Sequence, residues 1–294
     1  MQAPGLPPRP GAIAFGAGLP PAGAADDRVM SLRLATWNIN SVRLRIENVR
    51  RLIAEWAPDV LCLQETKTPD ELFPHEAFEE LGYRHRLVHG MKGYNGVAIL
   101  SRVPFEAPET RNWCARADCR HAIAVLRGGA EIHNIYIPAG GDIPDPEMNP
   151  KFAHKLQFLD ELTAWFAVER RDGRPMVAVG DFNIAPLEAD VWSHKQLLNV
   201  VSHTPVEVER LGRLQQAGGF VDTVRHFIAS PERVYTWWSY RARDWAASNR
   251  GRRLDHIWVT PGLVGALAQT QIYRDSRSWD KASDHVPVMM TING

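Results

Sequence analysis

From Leu32 to Thr36 apolar and polar side chains alternate in the manner of a buried strand, and Ile46, Val49, Ile53 and Trp56 then recur at helical spacing. Pro58-Asp59 ends that helix and the apolar run Val60 to Leu63 follows, so the chain opens as strand, helix, strand. Gly96 to Leu100 predicts another strand, and His121 to Leu126 with Glu131 to Ile137 predict a hairpin across Gly128-Gly129. Phe152, Leu156, Leu159, Leu162, Trp165 and Phe166 predict a helix, and Met176 to Val179 a buried strand ending at Asp181. Strands near Arg233 to Trp238, Leu254 to Val259 and Val286 to Ile292 complete the pattern, separated by a polar loop rich in arginine. Strands mixed with helices in this way imply an α/β fold of two packed mixed sheets flanked by helices.

Composition changes this picture at the N-terminus. Residues 1–29 are rich in Pro, Gly and Ala and offer little to bury, which predicts a disordered tail followed by a single domain over residues 30–294. Met30 directly precedes the first strand, so translation starting there is an alternative origin for the tail. The apolar stretch from Ala12 to Leu19 is interrupted by glycine and lacks a charged leader, and no run approaches membrane-spanning length, so no membrane partner is expected. Lys+Arg and Asp+Glu are both 34, which removes any global basic field and requires a basic surface, if present, to be local. Cys62 lies in an apolar run as a buried thiol. With Cys114 and Cys119 it makes an odd set in which structural disulfides are not expected, pointing to a reducing, cytoplasmic location.

Five short motifs end the apolar runs: Trp37-Asn38-Ile39-Asn40, Leu63-Gln64-Glu65-Thr66, Gly180-Asp181-Phe182-Asn183, Leu254-Asp255-His256 and Ser283-Asp284-His285. Carboxylates, carboxamides and histidine without thiolates suit one hard divalent cation and one phosphodiester. Glu65 falls just past a strand end, where it can meet a cation, although a Glu taken singly is usually a surface residue. Asn38 is placed to complete the cation's shell through its carboxamide oxygen or to hold Glu65; the competing reading is ordinary turn chemistry. Asp181 and Asn183, two apart, are expected on the same face because strand neighbours two apart point together, one moving a proton and the other donating to a phosphoryl oxygen. An Asx-turn toward Pro186 is the alternative.

Asp255 and His256 are adjacent on a strand and face opposite sides. A consistent arrangement has Asp255 accepting from one nitrogen of His285 while the other faces the phosphate, leaving His256 structural. Tyr136 ends a strand, where its phenol can reach a phosphate or pack as a half-buried residue. Of Trp237 and Trp238, one is expected in the core and the other against a sugar or base. Lys151, Lys155, Arg241, Arg243, Arg250, Arg252 and Arg253 are candidates to hold phosphates, or else solvated charges. His121, His133, His154 and His194 have no motif context and read as structural or solvated.

Read as a set, TWNIN at 36–40, LQETK at 63–67, YNGVAILS at 94–101, YIPAG at 136–140, KFAHKLQF at 151–158, GDFNIAP at 180–186, TWWSYR at 236–241, RLDHI at 253–257 and SDHVPV at 283–288 resemble the exonuclease III family of apurinic/apyrimidinic (AP) endonucleases, within the wider endonuclease/exonuclease/phosphatase superfamily. The resemblance implies a four-layered α/β sandwich and Mg2+-dependent phosphodiester cleavage, with Mn2+ able to substitute. It implies catalytic roles for Tyr136, Asp181, Asn183, Asp255 and His285, and metal contacts from Asn38, Glu65, Asp181, Asn183, Asp284 and His285. DNA contacts are expected from Lys151, Lys155, Trp237 and Arg241. The implied substrate is double-stranded DNA with abasic sites or 3′ ends, cut by a monomer to leave a 3′-hydroxyl. Two alternatives accompany it: a phosphoinositide or sphingomyelin phosphoesterase on the same core, and a non-catalytic DNA-binding module. The loop from Asp142 to Pro150, carrying Asp142, Asp145 and Glu147, departs from the family pattern, as does the tail.

Overall fold

The computed structural model describes residues 31–127, 129–169 and 174–294; the tail, Met30 and Gly128 of the hairpin turn lie outside the described residues. Twelve strands follow one another along the described chain: β1 (Leu32–Asn38), β2 (Val60–Gln64), β3 (His85–His89), β4 (Val97–Ser101), β5 (Phe105–Trp113), β6 (Arg116–Leu126), β7 (Glu131–Tyr136), β8 (Met176–Asp181), β9 (Val221–Asp222), β10 (Asp255–Val259), β11 (Leu267–Ile272) and β12 (Val288–Ile292). They form two six-stranded sheets, ordered β11-β12-β1-β2-β4-β3 and β5-β6-β7-β8-β10-β9. Both sheets are mixed: β1 runs parallel to β2 and β7 to β8, and the other pairs are antiparallel. The helices up to β9 are α1 (Ile46–Trp56), α2 (His75–Glu80), α3 (Pro150–Glu169), α4 (His194–Leu197) and α5 (Pro205–Gly218).

Strand parity explains the four layers. In β1, β2 and β12 the residues Leu34, Val60, Cys62, Val288 and Met290 meet Val177, Val179, Ile257 and Val259 of the opposite sheet in one buried cluster. Their neighbours Ala35, Trp37, Leu61, Leu63 and Met289 pack outward against Val49, Leu52 and Ile53 of α1. On the other side Ile135, Ala178 and Trp258 pack against Phe158, Leu159 and Leu162 of α3 and Leu211 and Leu214 of α5. The same alternation has a consequence at the strand ends. Asn38, Tyr136, Asp181 and Asp255 each lie an even number of residues from a member of the inter-sheet core, so all four end on the face between the sheets.

Several elements differ from expectation. Arg233 to Trp238 is not a strand: it crosses the ends of the sheets and makes only isolated bridges from Trp237 to Arg252 and to His285. The expected strand from Val286 begins at Val288, because Pro287 brings no N–H to the ladder. Leu254 likewise precedes β10. The alternation pattern does not announce β3, β5 and β11, whose side chains, buried Trp113 apart, are half-exposed or exposed as edge strands, nor α5, which starts with a Thr204/Glu207 capping box and Pro205. Among the described residues no helix is long and apolar enough to cross a membrane.

Candidate active site

Tyr136 and Asp255 both pair in register with Asp181, which sets three polar side chains in one row across β7, β8 and β10. Asn38 approaches the row from the opposite sheet. Its amide nitrogen donates to Glu65 Oε1 and to Asp181 Oδ2, each at 2.9 Å, while Oδ1 accepts from the Asn40 backbone at 3.1 Å. Glu65 therefore is held by Asn38, through nitrogen. Glu65 has a left-handed backbone with φ 51, uncommon for a non-glycine residue, which turns its side chain back over the sheet edge. Its Oε1 also accepts from the Tyr136 hydroxyl at 2.9 Å, and its Oε2 pairs with Lys67 Nζ at 2.8 Å.

His285 Nδ1 bonds to Asp255 Oδ2 at 2.9 Å, the pairing that strand parity pointed to, and Nε2 lies 3.7 Å from Asp181 Oδ2. Thr236 Oγ1 donates to the same Asp255 oxygen at 2.6 Å, and the Trp37 indole holds the His285 carbonyl at 3.0 Å. Asp284 faces the other way. Its Oδ1 accepts from Asn40 Nδ2 and its Oδ2 from Trp237 Nε1, both at 3.0 Å. His256 points away from the row, its Nε2 2.9 Å from the Ile184 carbonyl and its ring stacked on Phe182.

Asp181 and Asn183 come together for a reason other than strand parity. β8 ends at Asp181, and Asn183 sits beyond it in the left-handed region at φ 53. Its backbone N–H donates to Asp181 Oδ1 at 2.9 Å, an Asx-turn, and its side-chain nitrogen donates to Asp181 Oδ2 at 3.1 Å and to the Ile137 carbonyl at 2.9 Å. The turn and the functional juxtaposition are the same structure.

The electrostatics follow from burial beside several charges. Burial pushes Asp181 up to about 7; His285 opposes the shift, and Asp255 and Glu65 add to it. Burial alone would lower His285, but Asp255 and Asp181 outweigh it and raise the imidazole to about 10. Glu65 is pulled below the usual carboxylate range: burial opposes this, and Lys67 and Asn38 overcome it. Burial, reinforced by Glu65 and Asp181, keeps the Tyr136 phenol protonated far above its ordinary range.

The donor set fits a hard divalent cation. Lys67 Nζ already lies between Glu65 Oε2 and Asn40 Oδ1, at 2.8 and 2.6 Å, so these oxygens accept a positive charge. Asp255 Oδ1 is buried without a hydrogen-bond partner among the described residues. Asp181, Asp255 and His285 place ligand atoms within 4.8 Å of one another, although Asp255 Oδ2 and His285 Nδ1 are engaged with each other. Apart from the imidazole, which is charged at neutral pH, all of these donors are oxygen, the ligand type of a hard divalent cation.

Above this row opens a cavity of about 670 Å3 lined by Glu65, Tyr136, Asn183, Asp284 and His285 on its floor and by Trp192, Trp237, Arg241, Arg250 and Arg252 on one wall. Asp142 lines it as well. Trp237 is half-buried on the wall while Trp238 is core, as the opposite-face argument anticipated. Arg241 and Lys151 are exposed, Lys151 at the start of α3. Lys155 does not reach solvent. It is fully buried and paired with Glu207, so it cannot contact DNA as expected from the sequence; helical position alone does not show that its stem runs inward. Arg253 is also withdrawn from the arginine cluster, buried between Asp190 and Asp222. Asn40, Lys67, Thr236 and Ser283 were not singled out by sequence. Ser283 Oγ bonds to the Asn38 carbonyl at 2.7 Å. Asn40 and Lys67 had a signal, since both belong to motifs already noted, and Thr236 adjoins Trp237.

The family model described as Endonuclease/Exonuclease/phosphatase family matches residues 35–285. The chain is 30% identical over 272 residues to exodeoxyribonuclease III of Haemophilus influenzae, covering 87% of this chain and 98% of that protein. Among solved structures it is similar to an AP endonuclease from Archaeoglobus fulgidus, with a TM-score of 0.83, 32% identity and coverage of 90% of this chain and 100% of that one. A 3′ phosphatase from Neisseria bound to a product DNA hairpin superposes with a TM-score of 0.82 and 30% identity, over 90% of this chain and 100% of that one.

Proposed function

The chain belongs to the Endonuclease/Exonuclease/phosphatase family, and from that premise we propose that it is a Mg2+-dependent DNA-repair phosphodiesterase of the exonuclease III type. It cuts on the 5′ side of abasic sites and trims 3′ ends, leaving a 3′-hydroxyl, and acts as a monomer. The observation that carries this reading is the buried row of Tyr136, Asp181 and Asp255, faced by His285 and Glu65, of which Tyr136, His285 and Glu65 line a cavity that Trp237 and three arginines line as well. A wall of Trp237 and arginine suits a flipped-out sugar and its flanking phosphates better than a lipid headgroup at a membrane.

Each side chain has a chemical task in this reading. Asp181 takes the proton of the attacking water, its carboxylate oriented by Asn38 and by the Asn183 turn. His285, charged and fixed by Asp255, donates from Nε2 to a non-bridging phosphoryl oxygen, and Tyr136 supplies a neutral hydroxyl donor. Asn183 contributes its carboxamide to the same phosphate. Glu65, with Asn38, Asp181, Asn183 and Asp284 around it, would hold the cation, which when bound neutralises phosphoryl charge and stabilises the leaving 3′-oxygen; His285, expected from the sequence as a further ligand, is charged with Nδ1 bonded to Asp255 and has no lone pair to offer. Trp237 packs on the abasic sugar, and Arg241 and Lys151 take flanking phosphates.

The test is incubation with a duplex carrying one tetrahydrofuran abasic analogue, in Mg2+ and then in EDTA. A single cut ending in a 3′-hydroxyl, lost in EDTA, is the expected result. No cut in either condition overturns the reading, and hydrolysis of phosphoinositide vesicles in its place moves the substrate class.

A further inference from the structure

Lys155 and Glu207 form an ion pair at 2.5 Å in which neither side chain has any solvent exposure. All three ammonium protons of Lys155 have protein partners: Glu207, the Asn183 carbonyl at 2.8 Å and the Ala139 carbonyl at 3.4 Å. The carboxylate is as fully engaged. Besides Lys155 it accepts the Ser202 N–H at 3.0 Å on each oxygen, and the Thr204 N–H at 3.2 Å and hydroxyl at 2.6 Å on Oε2. Such a pair stabilises a fold no better than apolar groups of the same volume, because both charges lose their water. Its distinguishing property is what the ammonium holds.

The two carbonyls belong to the loops that follow β7 and β8, directly after Tyr136 and Asp181. Both loops run through the left-handed region, at Gly140 and Gly141 with φ 88 and 73 and at Asn183 with φ 53. Asn183 is clamped on its side chain by Ile137 and Asp181 and on its backbone carbonyl by Lys155. Without the ammonium the carbonyl loses the partner that draws it inward, and a non-glycine residue at that φ is free to relax.

We propose that Lys155 is a positioning residue: its ammonium fixes the Asn183 and Ala139 carbonyls, and through them the placement of the Asn183 carboxamide beside Asp181, without touching DNA. The proposal rests on the reading of Asn183 as a group that faces the scissile phosphate.

The experiment compares two double variants, so that no unpaired charge is left buried. Lys155→Met/Glu207→Met removes the donor; Lys155→Gln/Glu207→Gln keeps an N–H for the Asn183 carbonyl. On the abasic-analogue duplex in Mg2+, the methionine pair should lose about 100-fold in kcat, the scale of a small misplacement of a reacting group. Its DNA Kd and the salt dependence of binding should match the wild type. The glutamine pair should recover about 10-fold of the loss. A methionine pair with wild-type kcat overturns the proposal, as does a loss seen in Kd with the salt slope reduced by about 1, the mark of a phosphate contact. Should the methionine pair not fold, Lys155→Ala/Glu207→Ala, which also removes the donor, replaces it: a kcat deficit of about 10-fold or more at unchanged Kd supports positioning, and unchanged kcat or weakened Kd overturns it. The Asn183 side-chain amide resonances report the displacement even if the wild-type protein does not cut this duplex, which would be a failure of the functional reading alone. Resonances that stay in place in a folded variant overturn the positioning role.

Discussion

Asp181 Oδ2 and His285 Nε2 face each other at 3.7 Å, and the second ring nitrogen of His285 is bonded to Asp255 at 2.9 Å. Between about pH 7 and about pH 10 this gives a carboxylate opposite an imidazolium, a base and a cationic donor poised together. The sign of the pH dependence follows. Asp181, raised by burial, is the competent base only when ionised, so kcat/KM should rise with pH, reach half its maximum near 7 and level off above it. A divalent cation favours the ionised form, so the acid limb should move to lower pH as Mg2+ is increased. An acid limb already near pH 4 that ignores Mg2+ concentration would remove Asp181 from the base role.

The raised pKa of His285 comes against burial and chiefly from Asp255. An NMR titration of the metal-free protein should show the His285 ring remaining protonated through neutral pH. Asp255→Asn should bring that titration down toward or below the ordinary histidine range of about 6.5. If the ring titrates at the same pH in the Asp255→Asn variant, the Asp255 hydrogen bond is not what charges it.

Asp181→Asn should lower kcat by about 100-fold or more, the usual worth of a positioned general base, while DNA affinity in EDTA stays near the wild-type value. The substitution removes the proton acceptor and leaves the arginine wall intact. Turnover within a few-fold of wild type would place the base elsewhere.

Glu65 and Asn38 make a different prediction, because they bear on the cation. Glu65→Gln should raise the Mg2+ concentration for half-maximal activity by about 10-fold or more, and Asn38→Ala by a smaller factor, since it acts by orienting Glu65 and Asp181. Saturation at higher Mg2+ should restore part of the activity of Asn38→Ala. An unchanged Mg2+ curve for Glu65→Gln would exclude Glu65 as the principal ligand.

Much of this arrangement was legible because it depends on period-two alternation. Val179 and Asp181, or Ile257 and Asp255, can be put on one face from sequence alone, and that parity separates Asp255 from His256. What alternation cannot reach is contact made outside the strands. Asn183 meets Asp181 through a turn at positive φ, where the strand rule no longer applies. Lys155 looks like a solvated lysine until Glu207, on another helix, is seen to receive it. Trp237 sits in an extended crossing segment whose hydrogen bonds go to Arg252 and whose indole goes to Asp284, neither of them a sheet ladder. The edge strands β5 and β11 were hidden for the opposite reason, since exposure on both faces erases the pattern.

Arg253 gives a test on stability rather than turnover. Its guanidinium, fully buried, takes both oxygens of Asp190 and one of Asp222, and Arg225 also reaches Asp190. Burial alone would raise both carboxyls, but Arg253 overcomes it and holds each below its ordinary range, with Arg225 aiding at Asp190 and His256 at Asp222. Depressed carboxyls contribute stability that is present above their unfolded pKa of about 3.9 and is lost as pH falls through the folded values below it. Arg253→Met should therefore cost about 3–5 kcal/mol at pH 7, where Asp222 is left with only His256 and the Arg225 backbone N–H, and less near pH 3, where the variant's unpaired carboxyls protonate. Denaturant unfolding at the two pH values measures both. A loss that is equal at pH 7 and pH 3 would mean that Arg253 stabilises through packing of its stem, not through its charge.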